Sequence, residues 1–370
     1  MTNTIPRRAW LRQSSLALAG LTVAGRLSAA GSDQHKPFMP PGPIKLTSNE
    51  NPYGPSPLAR RAMADAIVAS NRYPWDNTTV LRGHIGKANG LSADHVLMGA
   101  GSSEILGIVA QYAALNKGNV VTASLSFPTA ANMSERFGME IIRVPLTRDK
   151  KHDLPAMMSK INNNTRMVYV CNPNNPTSTI VPSADVKNFV EEASKKCIVL
   201  LDEAYIEYCN EPTLSSLVAN NRNIIVAKTF SKIYGLAGAR IGYALAHPDT
   251  IGKLGNFQPW QNAGASAVSV AGAIASLEDK DFIRSTKEMN SKARTYVINE
   301  LTALGFECIP SETNFLFHTL GSYTGNWTDQ MRAKNILTGR IVEGEGRWTR
   351  ITIGTMEEMQ AFVAAAKQIV

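Results

Sequence analysis

From His95 onward one pattern recurs along the chain: a short apolar run, a helix-length stretch, then another short apolar run. Val96-Leu97-Met98, Val120-Val121-Thr122, Ile141-Ile142-Arg143-Val144, Met167-Val168-Tyr169-Val170, Ile198-Val199-Leu200-Leu201 and Ile224-Ile225-Val226-Ala227 are such runs. Between them, residues 102–115, 130–137 and 186–196 have helical length and patterning. Near-continuous apolar runs are the mark of strands buried on both faces, and their alternation with helices implies a mostly parallel sheet covered by helices on each side. An earlier helix is expected over 58–70 and a long one over 279–304, after which the strands become fewer and more separated. The expected fold class is α/β, with an N-terminal arm and linker (31–57), a large domain (58–260) and a smaller α+β domain (261–370). A length of 370 residues suits such a pairing.

The formal charge of +8 looks basic, but Arg7, Arg8, Arg12 and Arg26 supply four of those charges and no acid precedes Asp33, which leaves +4 for residues 31–370. No Lys/Arg cluster is interleaved with aromatic residues, so nucleic-acid binding is not expected. The paired arginines of Pro6-Arg7-Arg8-Ala9-Trp10-Leu11, the apolar stretch 16–23 and the small residues Ser28-Ala29-Ala30 resemble a twin-arginine export signal over residues 1–30. The alternatives are an ordinary secretory signal or an uncut anchor. The stretch is too short and too rich in Gly and Ala for a good spanning helix. The expected location is periplasmic or secreted, with no stable membrane span. Cys171, Cys197, Cys209 and Cys308 and the six histidines have no metal-ligand spacing, so no metal is expected.

Asp202 stands at the exit of one apolar run; Lys232 follows another, with Arg240 eight residues on. Groups just past the carboxyl ends of parallel strands face the ligand crevice. An acid, an amine and an Arg converging there suit a cofactor with a ring nitrogen, an aldehyde and a phosphate: pyridoxal 5′-phosphate. An amine among Ser, Ile, Tyr, Gly and Leu residues would have a lowered pKa and could form an imine with an aldehyde. Gly99-Ala100-Gly101-Ser102-Ser103-Glu104 opens a helix whose free N–H groups could hold a phosphate. Cys171-Asn172-Pro173-Asn174-Asn175-Pro176-Thr177 places rigid Asn side chains at a strand's end. Each feature alone has a bland reading: an ordinary helix cap, a turn with local hydrogen bonds, a surface lysine. Their combination favours the cofactor.

Eight segments in order carry a wider resemblance: Asn49-Glu50-Asn51-Pro52, Asn71-Arg72-Tyr73-Pro74, Asn172-Pro173-Asn174-Asn175-Pro176-Thr177, Asp202-Glu203-Ala204-Tyr205, Ser231-Lys232, Ala237-Gly238-Ala239-Arg240, Ser311-Glu312-Thr313-Asn314-Phe315 and Arg350-Ile351-Thr352-Ile353-Gly354-Thr355. From about Leu46 to the C-terminus the chain resembles the fold-type I, class II aminotransferases, the histidinol-phosphate aminotransferase group in particular. The resemblance implies that Lys232 links covalently to the cofactor and that Asp202 pairs with its ring nitrogen. Asn175 and Tyr205 would bond the phenolic oxygen. Gly101, Ser102, Ser103, Thr229, Ser231 and Arg240 would hold the phosphate, with Tyr73 reaching it from the other subunit of a homodimer with shared sites. Arg350, with Arg340 as second candidate, and Asn314 would bind the substrate. The partners implied are a small amino donor and a 2-oxo acid acceptor. A decarboxylase or lyase of the same fold is the enzymatic alternative, and an exported binding protein the non-catalytic one.

Three places depart from the family pattern. The stacking aromatic is expected at Phe127; if the register instead follows Pro128-Thr129, Ala130 takes that place and nothing stacks. Ser178 stands where the family often has Gly, a small change unless its φ is positive. Glu343 and Glu345 stand where a substrate's distal group would lie, which disfavours a phosphate-bearing substrate.

Overall fold

The computed structural model describes residues 42–339, 341–342 and 347–370. The expected signal segment, Arg340, Glu343 and Glu345 lie outside the described residues. Strand β1 (Ile44–Leu46) is followed by the seven strands of the main sheet: β2 (Val96–Gly99), β3 (Asn119–Ala123), β4 (Glu140–Val144), β5 (Thr165–Cys171), β6 (Ile198–Asp202), β7 (Ile224–Thr229) and β8 (Gly242–Ala246). Their spatial order is β2-β8-β7-β6-β5-β3-β4. Every neighbouring pair is parallel except those made by β8, which runs against both β7 and β2. The α/β class expected from the alternating pattern is the one observed.

Burial explains the apolar runs. Val168, Val170, Leu201 and Val226 face one apolar core, whereas Tyr169, Leu200 and Ala227 face another on the opposite side of the sheet. Helix Ser102–Ala114 covers the second core with Ile105, Leu106, Ile108 and Val109. Helix Ala267–Glu278 joins the first core through Val270 and Ala273.

Past the main sheet come β9 (Phe315–Thr319), β10 (Ile336–Thr338), β11 (Ile341–Val342) and β12 (Trp348–Thr352). They form a three-stranded antiparallel sheet, β11-β12-β9, and a parallel pair of β1 with β10. A third core gathers here around Trp327, Phe306 and Phe362, and takes in Leu46 from the arm. The long helix Lys280–Ala303 belongs to both regions: Ile283 packs on the first core, and Ala293, Val297 and Leu301 enter the third. The boundary expected at residue 261 lies before this change of core. Among the described residues no helix is long and apolar enough to cross a membrane.

Candidate active site

A cavity of about 440 Å3 opens at the carboxyl ends of β5, β6 and β7. Asp202, Tyr205, Thr229, Ser231, Lys232 and Asn175 line it from those strand ends and the turns that follow. Ser102, Ser103 and Arg240 close one side, Phe127 another, and Arg350 reaches in from β12. Phe127 is partly exposed on the wall, while Ala130 is fully buried in the core behind it, so the first of the two registers brings an aromatic ring to the cavity.

Asp202 is 2% exposed and accepts from the Tyr169 hydroxyl at 2.9 Å and from the Ala204 N–H at 3.1 Å. Burial pushes its carboxyl up to about 6, against the opposing pull of those two donors and of Lys232. The Lys232 amine is driven the other way, down to about 8, by burial and by the positive charge of Arg350, with Glu50 and Asp202 opposing. Its Nζ donates to the carbonyls of Ser48 (3.1 Å) and Asn49 (3.2 Å) and lies 5.5 Å from the centre of the Tyr205 ring. The Tyr205 hydroxyl accepts from Asn49 Nδ2 at 3.0 Å and Asn175 Nδ2 at 3.3 Å.

Two glycines bring Arg240 and the start of helix Ser102–Ala114 close together. Gly101 has φ +84°, and a Cβ there would come within 2.5 Å of Arg240 Nη2. On β8, a Cβ at Gly242 would meet the Ser102 nitrogen at 2.5 Å, so this strand lets the helix N-terminus lie against the sheet edge. Arg240 is held over the helix start by bonds from Nη1 to the Ala237 carbonyl (3.0 Å) and from Nη2 to the Ala100 carbonyl (3.3 Å).

Arg350 donates through Nη1 to Asn175 Oδ1 at 2.7 Å and through Nη2 to the Thr47 carbonyl. Its Nε is buried and meets no acceptor among the described residues. The guanidinium lies 5.7 Å from the centre of the Phe315 ring.

Asn314 and Tyr73 do not line the cavity of their own chain, which is a departure only for Asn314, since Tyr73 is expected to act from the other subunit. Asn314 is 1% exposed and sits behind the arm, donating to the carbonyls of Asn49 (3.0 Å) and Glu50 (3.3 Å); its side chain is spent on positioning the arm and does not line the cavity. Tyr73 is 67% exposed, outside the cavity of its own chain, stacked on Trp75 at 5.3 Å with Trp260 edge-on at 5.8 Å. Ser178 has φ +61°, so its departure from Gly is not neutral: a side chain in that conformation costs about 1–2 kcal/mol. Hydrogen bonds from its N–H to the Asn174 carbonyl (2.9 Å) and from its hydroxyl to the Thr177 carbonyl (2.5 Å) offset part of this.

Sequence reasoning missed the arm residues 47–50 as cavity wall, and Tyr169 as the partner of Asp202. The second had a signal: a Tyr within a fully buried strand needs a partner for its hydroxyl.

The family model for class I and II aminotransferases matches residues 41–365. A histidinol-phosphate aminotransferase of Moorella thermoacetica is 34% identical over 354 residues, 90% of each chain. An aromatic amino acid aminotransferase of Mycobacterium bovis is 37% identical over 334 residues, covering 89% of this chain and 93% of that one. Among solved structures, a histidinol-phosphate aminotransferase from Sinorhizobium meliloti in complex with pyridoxal 5′-phosphate superposes with a TM-score of 0.79 at 27% identity, covering 88% of this chain and 90% of the other.

The residues present fit that cofactor. A buried carboxylate raised by burial suits a ring N–H⁺, an amine lowered to about 8 suits an aldehyde, and the Gly101–Arg240 cradle suits a phosphate. Matched by the family model over most of its length and to relatives along nine-tenths of theirs, the chain belongs to the class I and II aminotransferases and is a pyridoxal 5′-phosphate-dependent enzyme of amino-group transfer.

Proposed function

We propose that this cavity moves an amino group from an L-amino compound with a flat ring side chain to a 2-oxo acid, with Lys232 as the proton carrier. The observation that carries the reading is the sharing of one cavity by Lys232, Asp202 and Arg350, with the Lys232 amine lowered to about 8. Pyridoxal phosphate, when bound, supplies an electron sink conjugated to the substrate's Cα. Asp202 keeps a positive charge on the ring nitrogen by lying beside it as a carboxylate. Lys232 Nζ, neutral for part of the time near neutral pH, takes the proton from the substrate's Cα. Asn175 and Tyr205 orient the ring through its phenolic oxygen. Gly101, Ser102, Ser103, Thr229, Ser231 and Arg240 hold the phosphate, and Phe127 covers the ring. Arg350 binds the substrate's anionic group, for which its planar fork is suited.

The ring-bearing donor is supported by the names of the relatives, a histidinol-phosphate aminotransferase and an aromatic amino acid aminotransferase. Borohydride reduction of the loaded protein followed by peptide mapping tests the assignment of Lys232; a label on any other residue overturns it. Following the cofactor's spectrum against a panel of amino acids and histidinol phosphate then identifies the donor.

The same reading includes a homodimer in which Tyr73 serves the neighbouring site, supported by its exposure beside Trp75 and Trp260. It also includes export, supported by Arg7-Arg8 and the apolar stretch after them. Fractionation of cells expressing the full chain, beside a variant with Arg7 and Arg8 replaced by Lys, tests the twin-arginine route: a wild type retained in the cytoplasm refutes export, and an unchanged distribution in the variant refutes that route.

A further inference from the structure

We propose that Lys228 is a positioning residue for the reaction: its buried ammonium, held between Glu203 and Glu207, ties the ends of β6 and β7 together on the face opposite the cavity and so sets where Asp202 and Lys232 stand. The inference rests on the roles proposed above for those two residues.

Side chains alternate along a strand, so Lys228 points away from the side that Ala227 and Thr229 share. It lies opposite Tyr243 in the β7–β8 register, on the face of the first core. Glu203, next after Asp202, turns to that same face, and its N–H donates to the Ala227 carbonyl at 2.9 Å. Lys228 Nζ lies 3.0 Å from Glu207 Oε1 and 3.5 Å from Glu203 Oε2. The side chains of Lys228 and Glu203 are 6% and 2% exposed, so water does not screen the pair.

Glu203 cannot swing away to relieve a lost cation. Its Oε1 accepts from the Leu214 N–H at 2.8 Å and its Oε2 from the Thr213 hydroxyl. Without Lys228, two carboxylates would face each other under the sheet with the tyrosines 234 and 243 around them, and the strain would fall on the residue adjoining Asp202. Buried ion pairs of this kind are often replaceable by apolar groups with little loss of stability, and their better-attested use is to fix one arrangement among several. Here the arrangement fixed is lateral: Asp202 adjoins one end of the tie, and Lys232 lies four residues beyond the other.

The test uses the holoenzyme with Lys228→Met and Lys228→Arg, reading thermal unfolding, the pH titration of the cofactor's visible absorbance, and kcat and KM for the amino donor separately. In Lys228→Met the titration midpoint is displaced and kcat falls about 100-fold, the scale of an ångström's misplacement, with KM little changed. Lys228→Arg, which keeps the charge, restores both. A folded Lys228→Met with the wild-type midpoint and kcat overturns the inference. Should that variant fail to fold, Glu203→Gln, which leaves Lys228 paired with Glu207 but loosens the tie to β6, must show the displaced midpoint, and an unmoved midpoint overturns it equally. Wild-type protein that never links the cofactor to Lys232 would instead overturn the underlying reading of the site, and this inference with it.

Discussion

Arg350 on β12 donates to Asn175 Oδ1 at 2.7 Å, joining the three-stranded sheet to the turn that follows β5. The same Asn175 donates through Nδ2 to the Tyr205 hydroxyl, so the cation proposed to bind the substrate and the residues proposed to meet the cofactor's phenolic oxygen form one chain of contacts. Arg350→Lys keeps the charge but loses the planar fork. Charged hydrogen bonds contribute about 1.5–3 kcal/mol each, so kcat/KM should fall about 10- to 100-fold, mainly through KM. Steady-state kinetics with the cofactor saturating checks this; cofactor affinity should change little.

The cofactor-free protein should show two opposite pH dependences of stability. The Asp202 carboxyl, raised from 3.8 to about 6, holds its proton more tightly folded than unfolded. Its contribution is fully present below pH 3.8 and is lost as the pH rises through 6, a loss on the order of 3 kcal/mol. Lys232, lowered from 10.5 to about 8, contributes above pH 10.5 and loses that contribution as the pH falls through 8. Urea unfolding across pH 4 to 6 should therefore give a declining free energy in the wild type that flattens in Asp202→Asn. An equal decline in both proteins would assign the effect to another group.

The site residues that were legible in the sequence sit beside strand ends. Asp202, Lys232 and Asn175 each directly follow or lie close behind an apolar run, and the fold delivers such positions to one edge of the sheet. What was illegible comes from backbone groups and distant segments. The carbonyls of Ser48 and Asn49 reach Lys232 across more than 180 residues of chain, and a carbonyl carries no sequence signature. Strand β8 is hidden for a related reason: Gly242-Tyr243-Ala244-Leu245-Ala246 has no β-branched residue, and only its place between β7 and β2 makes it a strand. Asn314 was misplaced because its motif marks the right neighbourhood, while its side chain turns to the arm.

Gly101→Ala should damage the cradle without touching the chemistry at Lys232. The new Cβ would meet Arg240 Nη2 at 2.5 Å, and φ +84° strains any L side chain. Displacing the guanidinium removes a charged hydrogen bond to the phosphate, so the cofactor's Kd should rise about 10- to 100-fold. Equilibrium dialysis checks this. Borohydride labelling at saturating cofactor should still mark Lys232.

Tyr73 gives the sharpest test of shared sites, because its ring lies outside the cavity of its own chain. Tyr73→Phe alone should weaken cofactor retention about tenfold or more, the loss of one hydrogen bond to a charged group. Lys232→Ala alone should abolish covalent attachment. In a mixed dimer with shared sites, one cavity collects both defects, whereas the other combines an intact Lys232 with the intact Tyr73 of the second subunit. Mixing the two variants should then restore tight, borohydride-trappable cofactor at one site of each hybrid. If each cavity relies only on its own chain, every hybrid site keeps one defect, and retention after mixing equals the average of the parents.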